Sequence, residues 1–258
     1  MIKPLLLAAT ALILAAAPAT AQTRPAPAPQ GLSQPGSSFA EQDNPGNWGA
    51  ATVRTERGHT IGNPEAETKL IEFISYTCPH CADFAARGEA PLEIVLLQPG
   101  KMTLEVRSFI RNGVDVAATL LAQCGDPSGF KERHKALMLN QATWLAKARG
   151  APVSQQQLWQ RGDKAGRINA ANALGLTALL AARGQSVAEL DACLADDAAA
   201  ARLRANTDAD AADFGVTGTP SFALDDKLLD GVHGWEALYP VLSARFAAGP
   251  TAPVQGSR

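Results

Sequence analysis

The alternation of apolar and polar positions changes character several times along this chain. Leu5 through Ala17 is an uncharged apolar run behind the positive Lys3, and Ala19-Thr20-Ala21 follows with small residues at both ends. That pattern predicts an export signal over 1–21, cleaved between Ala21 and Gln22. The competing reading is a retained membrane anchor, but the run is shorter than the ~20 apolar residues that a spanning helix needs. Residues 22–50 are rich in Pro, Gly, Ser and Gln and nearly empty of aliphatic side chains. Such a segment buries too little surface to offset the entropy of ordering and is expected to be a disordered leader, as is a flexible tail over 248–258. The folded part is expected over 51–247.

Within it, Leu70-Ile71-Glu72-Phe73-Ile74-Ser75 is short, apolar and β-branched, which predicts a central buried strand. Pro79 fits the first turn of a helix, where its missing N–H costs nothing, and Ala82 through Ala90 continues that helix until Pro91 kinks or restarts it. Met102 to Ile110 alternates, with Met102, Leu104, Val106 and Ser108 on one side, and predicts a second strand. Strand, helix and strand together make a βαβ unit. From Val114 to Phe214 the period becomes helical: Ala117, Leu120, Leu121 and Cys124 share one face, and Val187, Leu190, Cys193 and Leu194 share another. Ser221–Leu224 and Lys227–Leu229 then read as two short strands around a turn at Asp225-Asp226, and 234–246 as a closing helix.

The composition narrows the function. The 258 residues are 46% hydrophobic and 19% charged with a net charge of −2, which suits a packed core and argues against nucleic-acid binding by a basic face. Four cysteines are too few for a disulfide scaffold, so their placement matters more than their number. Cys78 and Cys81 form a C-x-x-C pair, which is either half of a zinc site or a redox dithiol. Zinc needs two further ligands in a compact second set, and neither Cys124 and Cys193 nor His59 and His134 has that spacing, so no metal is expected. As a dithiol, Cys78 stands where a buried strand gives way to a helix. Free backbone N–H groups and the helix dipole favour a thiolate there. Cys78 is thus expected to be the exposed nucleophile, His80 to help hold its thiolate, and the more buried Cys81 to be the resolving thiol.

The stretch Ile71–Cys81, with its Cys78-Pro79-His80-Cys81 tetrad, together with Thr219-Pro220, resembles the DsbA family of periplasmic thiol:disulfide oxidoreductases, and the similarity runs across most of 59–247. The resemblance implies an α/β thioredoxin fold interrupted by an all-helical domain, with thioredoxin-like parts at 51–110 and 213–247 and the insertion at 111–212. Cys78 and Pro220 lie roughly 140 positions apart, about a hundred more than a compact unit needs, which supports an insertion independently. The resemblance also implies a cis peptide bond before Pro220, opposite the dithiol, leaving the Thr219 backbone free to pair with an extended client. Thr219 departs from the Val of the best-known oxidases and matches the Thr that isomerases often carry. In the family an acidic residue stands where Glu72 does. Glu72 is either a proton relay for Cys81 or a strand residue whose side chain reaches solvent. Tyr76, Phe84 and Trp235 either line a client groove or belong to the core, and His233 has no evident partner.

Cys124 and Cys193 are either buried thiols or, in an oxidising compartment, a structural disulfide. The expected function is that of a monomeric periplasmic oxidase without cofactor, which passes its disulfide to unfolded exported proteins and is reoxidised by a membrane partner. The alternatives are a disulfide isomerase or reductase on the same fold, and a peptide-binding chaperone whose dithiol is incidental.

Overall fold

A computed structural model describes residues 47–248. The export signal, residues 22–46 of the leader and residues 249–258 of the tail lie outside the described residues. The leader boundary needs correction: Trp48–Ala50 form a turn of 3-10 helix, with Trp48 N–H donating to Gln98 O and Gly49 buried.

The core of the fold is a six-stranded sheet in the order β1-β2-β4-β3-β5-β6. Its strands are β1 (Thr52–Arg54), β2 (Gly58–Gly62), β3 (Thr68–Ile74), β4 (Met102–Ser108), β5 (Ser221–Leu224) and β6 (Lys227–Leu228). β3 pairs parallel to β4 and antiparallel to β5, so both of its edges are used, and every residue but Lys69 is buried. This is why its sequence is nearly continuous in apolar residues rather than alternating. The parallel β3–β4 pair is joined by α1 (Pro79–Arg87), α2 (Glu89–Leu92) and one π-helical turn at Glu93–Leu97. The expected βαβ unit is present, with Pro79 opening α1 and the helix breaking at Gly88, just before Pro91.

Two strands were not anticipated. β1 and β2 carry Thr, Arg, Gly and His, and they exist through antiparallel pairing with each other and with β4 rather than through local propensity.

Eight helices lie between β4 and β5: α3 (Gly113–Ala122), α4 (Phe130–Leu139), α5 (Gln141–Gly150), α6 (Val153–Gln160), α7 (Lys164–Leu174), α8 (Leu176–Ala181), α9 (Val187–Ala195) and α10 (Asp197–Phe214). After the last two strands, α11 (Trp235–Ala247) ends the described chain. All ten residues of α3 are buried, because it runs through the middle of the insertion. Gly113 begins it where a methyl group would collide with the carbonyl of Trp159, so only glycine permits this close approach to α6. Cys124 does not lie on the α3 face. It falls just beyond the C-cap Gln123 and is joined to Cys193 of α9 by a disulfide.

α10 is tied to the sheet by charge. Asp210, buried, accepts hydrogen bonds of 2.9 Å from Arg57 and from Arg107 of β4. Arg107 also lies over the rings of Phe73 and Phe214. The face of β3 that carries Leu70 and Ile74 joins the main core, while Ile71 and Phe73 pack with Val216 and Ala223 on the other side.

Candidate active site

β3 ends at Ile74, and the chain turns through Ser75, Tyr76 and Thr77 into α1. Cys78 is the N-cap of α1: its N–H donates to Ser75 O at 3.0 Å, and its carbonyl accepts from Cys81 N–H at 3.1 Å. Both cysteines are free thiols. The first backbone N–H groups of α1 are directed at the Cys78 end of the helix, where a negative sulfur is favoured.

The sequence places Cys78 on an exposed surface, and the structure corrects this: the residue is 3% exposed and Cys81 1%. The cover comes from a distant loop. The Thr219–Pro220 peptide bond is cis, and Cys78 Sγ lies 3.1 Å from the Thr219 carbonyl, to which its thiol form donates. His233 is not without a partner, since its Nδ1 donates to Pro220 O at 2.8 Å and steadies this loop.

The two thiols are pushed in opposite directions. Hydrogen bonding from the Cys81 thiol lowers Cys78 most; burial opposes it, and Thr219 and the backbone N–H groups of Cys81 and His80 lower it further, to about 4. His80 therefore contributes through its backbone, and its side chain is exposed. The Thr219 hydroxyl is buried and makes no other hydrogen bond among the described residues, which leaves it free to donate to a Cys78 thiolate. Burial raises Cys81 well above the usual thiol range, and donation to Cys78, the Cys78 charge and that of Glu72 raise it further. At neutral pH the pair is thus one thiolate and one thiol.

Glu72 is 1% exposed, so its side chain does not reach solvent. It lies on the β3 face shared with Leu70 and Ile74, its Cα in register with Val106 and Phe222. Burial, then the charge of Glu89, raises its carboxyl well above the ordinary range, and Oε2 has no hydrogen-bond partner among the described residues. A carboxyl raised in this way, whose charge acts on Cys81, is suited to exchanging a proton with it. Tyr76 and Phe84 are fully buried and belong to the core rather than to a groove. Trp235 is half-buried, packing on Phe84 and Tyr239.

Sequence reasoning missed the side chains that hold the loop. Asp115 accepts from Tyr76 N–H at 2.8 Å, from Ser75 Oγ at 2.6 Å and from Arg111 N–H at 3.1 Å. Gln141 Nε2 donates to both Tyr76 O and Cys78 O at 2.8 Å. Asn112 Nδ2 donates to Thr77 Oγ1 at 2.9 Å. Of these, only Asp115 left a trace in the sequence, as an acid inside an otherwise apolar helix. Its carboxyl is raised by burial to about 6, against the pull of those hydrogen bonds.

A family model described as Thioredoxin matches residues 54–244. The chain belongs to this family. A solved structure described as a protein-disulfide isomerase, from Novosphingobium aromaticivorans, is 40% identical with a TM-score of 0.70, covering 73% of this chain and 97% of that one. The structure of alpha-DsbA1 from Wolbachia pipientis is 18% identical with a TM-score of 0.56, covering 73% and 88%, a likeness of fold. A Rickettsia conorii protein, provisionally named protein-disulfide oxidoreductase, is 29% identical over 163 residues, which are 63% of this chain and 51% of that one. The chain spans about half the length of the curated relatives it matches. Its architecture is a DsbA-like thioredoxin fold: the mixed sheet of this thioredoxin-family chain carries its helical insertion between β4 and β5.

Proposed function

We propose that this chain is a protein thiol:disulfide oxidoreductase that introduces disulfides into exported proteins through Cys78 and Cys81. The observation that carries the reading is the dithiol at the N-terminus of α1, with Cys78 Sγ 3.1 Å from Thr219 O beside a cis proline. In the oxidised form a client thiolate attacks Cys78 Sγ, the Cys78–Cys81 bond breaks, and Cys81 leaves with the electron pair. Cys81, whose thiolate is disfavoured, takes a proton from Glu72, which recovers one from water. A second client thiolate then attacks the client sulfur of the mixed disulfide, and Cys78 leaves as a stable thiolate. Two electrons pass from the client dithiol to the enzyme, and the client gains its disulfide. A low leaving-group pKa speeds this last step and makes the pair oxidising.

Thr219 and Pro220 are the client-binding positions: an extended peptide pairs with the backbone at the cis proline and brings its cysteine to Cys78. The Cys124–Cys193 disulfide fits an oxidising compartment, and the apolar run Leu5–Ala17 fits export, which together support a periplasmic location. Turnover needs a two-electron acceptor, for which a membrane-bound partner is the proposal, and the enzyme acts as a monomer.

The redox equilibrium with glutathione tests the direction. An oxidising pair, far from the poise of cytoplasmic thioredoxin, is expected; a thioredoxin-like value would overturn the oxidase reading. One observation favours a second reading, isomerase: Thr219 precedes the cis proline, and the 40% identical structure is described as an isomerase. Faster rescue of a scrambled client than oxidation of a reduced one would select it.

A further inference from the structure

Tyr76 stands two residues before Cys78, and each of its three hydrogen-bonding groups is held by a different helix of the insertion. Its N–H donates to Asp115 of α3 at 2.8 Å. Its carbonyl accepts from Gln141 of α5 at 2.8 Å. Its hydroxyl meets His134 Nδ1 of α4 at 2.9 Å. The far side of His134 is fixed as well, with Nε2 2.7 Å from Glu89 of α2. Tyr76, Asp115, His134 and Gln141 are all buried. We infer that Tyr76 is a positioning residue through which the helical insertion sets the reactivity of Cys78. The inference rests on the dithiol reading of Cys78 and Cys81 proposed above.

The physical argument runs through the loop carbonyls. Gln141 holds the carbonyls of Tyr76 and Cys78 together, both turned toward the insertion. The thiolate at Cys78 is stabilised by donors and already faces one acceptor, the Thr219 carbonyl at 3.1 Å, so a further acceptor that swings toward it opposes it. Three buried side chains from three helices, Asp115, His134 and Gln141, converge on this one residue. They also hold the N–H, carbonyl and hydroxyl of Tyr76 in place, since a buried donor or acceptor without a partner is costly. The tyrosine hydroxyl is the informative part. Burial, followed by the charges of Glu89, Asp115 and Glu72, favours the protonated phenol, and in the His134 tautomer that carries its proton on Nε2, facing Glu89, the hydroxyl donates to Nδ1. The order of donors runs from the redox loop to α2 without a break.

Two substitutions in the otherwise unchanged full chain test this. Tyr76→Phe removes one oxygen from a buried ring and keeps its shape. Gln141→Met keeps the side-chain length and removes both donated bonds. The readouts are the pH titration of Cys78 by its thiolate absorbance, the glutathione equilibrium and the melting temperature. Gln141→Met is expected to raise the Cys78 pKa and move the equilibrium toward the disulfide by roughly tenfold, since it loses two buried hydrogen bonds. Tyr76→Phe is expected to move both in the same direction by roughly threefold. Unchanged titration and equilibrium in both variants, with only a lower melting temperature, would overturn the inference and leave a purely structural tie. If Gln141→Met does not fold, Tyr76→Phe alone decides. A wild-type pair that does not exchange with glutathione would instead refute the proposed function, while the Cys78 titration still tests the loop.

Discussion

The two cysteine pairs of this chain stand at opposite ends of helices. Cys78 caps the N-terminus of α1, and its partner Cys81 lies one turn inside. Cys124 lies just past the C-terminal end of α3, and Cys193 sits in the last turn of α9. The same side chain therefore meets opposite fields. At an N-terminus the exposed N–H groups and the positive end of the dipole favour a thiolate; at a C-terminus the free carbonyls oppose one. Reduction of a disulfide has to release a thiolate, so the pair at helix C-termini resists reduction and the pair at a helix N-terminus accepts it readily. In this molecule, position on the helix separates a structural bond from a reactive one more clearly than burial does, because Cys78 and Cys124 are both nearly inaccessible, at 3% and 2%.

The largest expected effects come from exchanging the treatments of the two pairs. Cys78→Ser is expected to abolish disulfide transfer while leaving the fold and the Cys124–Cys193 bond in place. Replacing Cys124 and Cys193 together by serine is expected to do the reverse. The bond closes a loop with a sequence separation of 69, and its loss should cost about 4 kcal/mol of stability on the loop-entropy model. Transfer at Cys78 should survive in the folded fraction. Denaturant unfolding and a transfer assay on each variant check both halves. Loss of transfer on removing the second pair at full folding would break the division.

A second effect follows from the acidity of Cys78 and separates the pairs by pH. Folding lowers this thiol from its ordinary value of 9.0 to about 4. The folded reduced protein thus binds fewer protons than the unfolded chain between those limits, and its stability rises with pH there. The gain is fully present above about pH 9 and is lost as the pH falls through about 4. Oxidised protein has no titrating thiol at either pair, so it lacks this slope. The difference in unfolding free energy between reduced and oxidised protein, measured across the window, should grow steadily in favour of the reduced form. A flat difference would mean that Cys78 keeps its ordinary acidity in the fold.

Much of this was legible in the chain before the fold was known, and the gaps have a common physical cause. β3, α1 and β4 declare themselves locally, because an apolar strand buried on both faces and a proline in a first helical turn are written in adjacent residues. The cis bond at Pro220 was reachable only through family resemblance, since nothing in its neighbours demands it. β1 and β2 were missed because pairing with β4, rather than propensity, makes them strands. Cys78 was expected on the surface because the Thr219 carbonyl that covers it arrives from 141 residues away. Asn112, His134 and Gln141 look like ordinary polar helix residues, and their partners at Thr77, Tyr76 and Cys78 lie 35, 58 and 63 positions off. What escapes a linear reading is the long-range satisfaction of buried polar groups, and that is also what shapes the reactive pair.

The smallest effect expected on the contrast between the two pairs concerns one such group. Thr219 Oγ1 is buried with no partner among the described residues, and it is placed to donate to the Cys78 thiolate. Valine has nearly the same shape without the donor. Thr219→Val should therefore leave the fold and the carbonyl contact in place while removing one hydrogen bond to a charged sulfur. Such bonds contribute roughly 1.5–3 kcal/mol. A rise of about one unit in the Cys78 pKa and a shift of about tenfold in the glutathione equilibrium toward the disulfide are expected. The structural pair should not respond at all, since Thr219 touches neither sulfur of the Cys124–Cys193 bond. Titration of the Cys78 thiolate in this variant checks the first expectation, and the reducibility of the second disulfide checks the other. An unchanged Cys78 titration would show that α1 alone carries the stabilisation. The contrast between the two pairs would then reduce to helix ends without help from the proline loop.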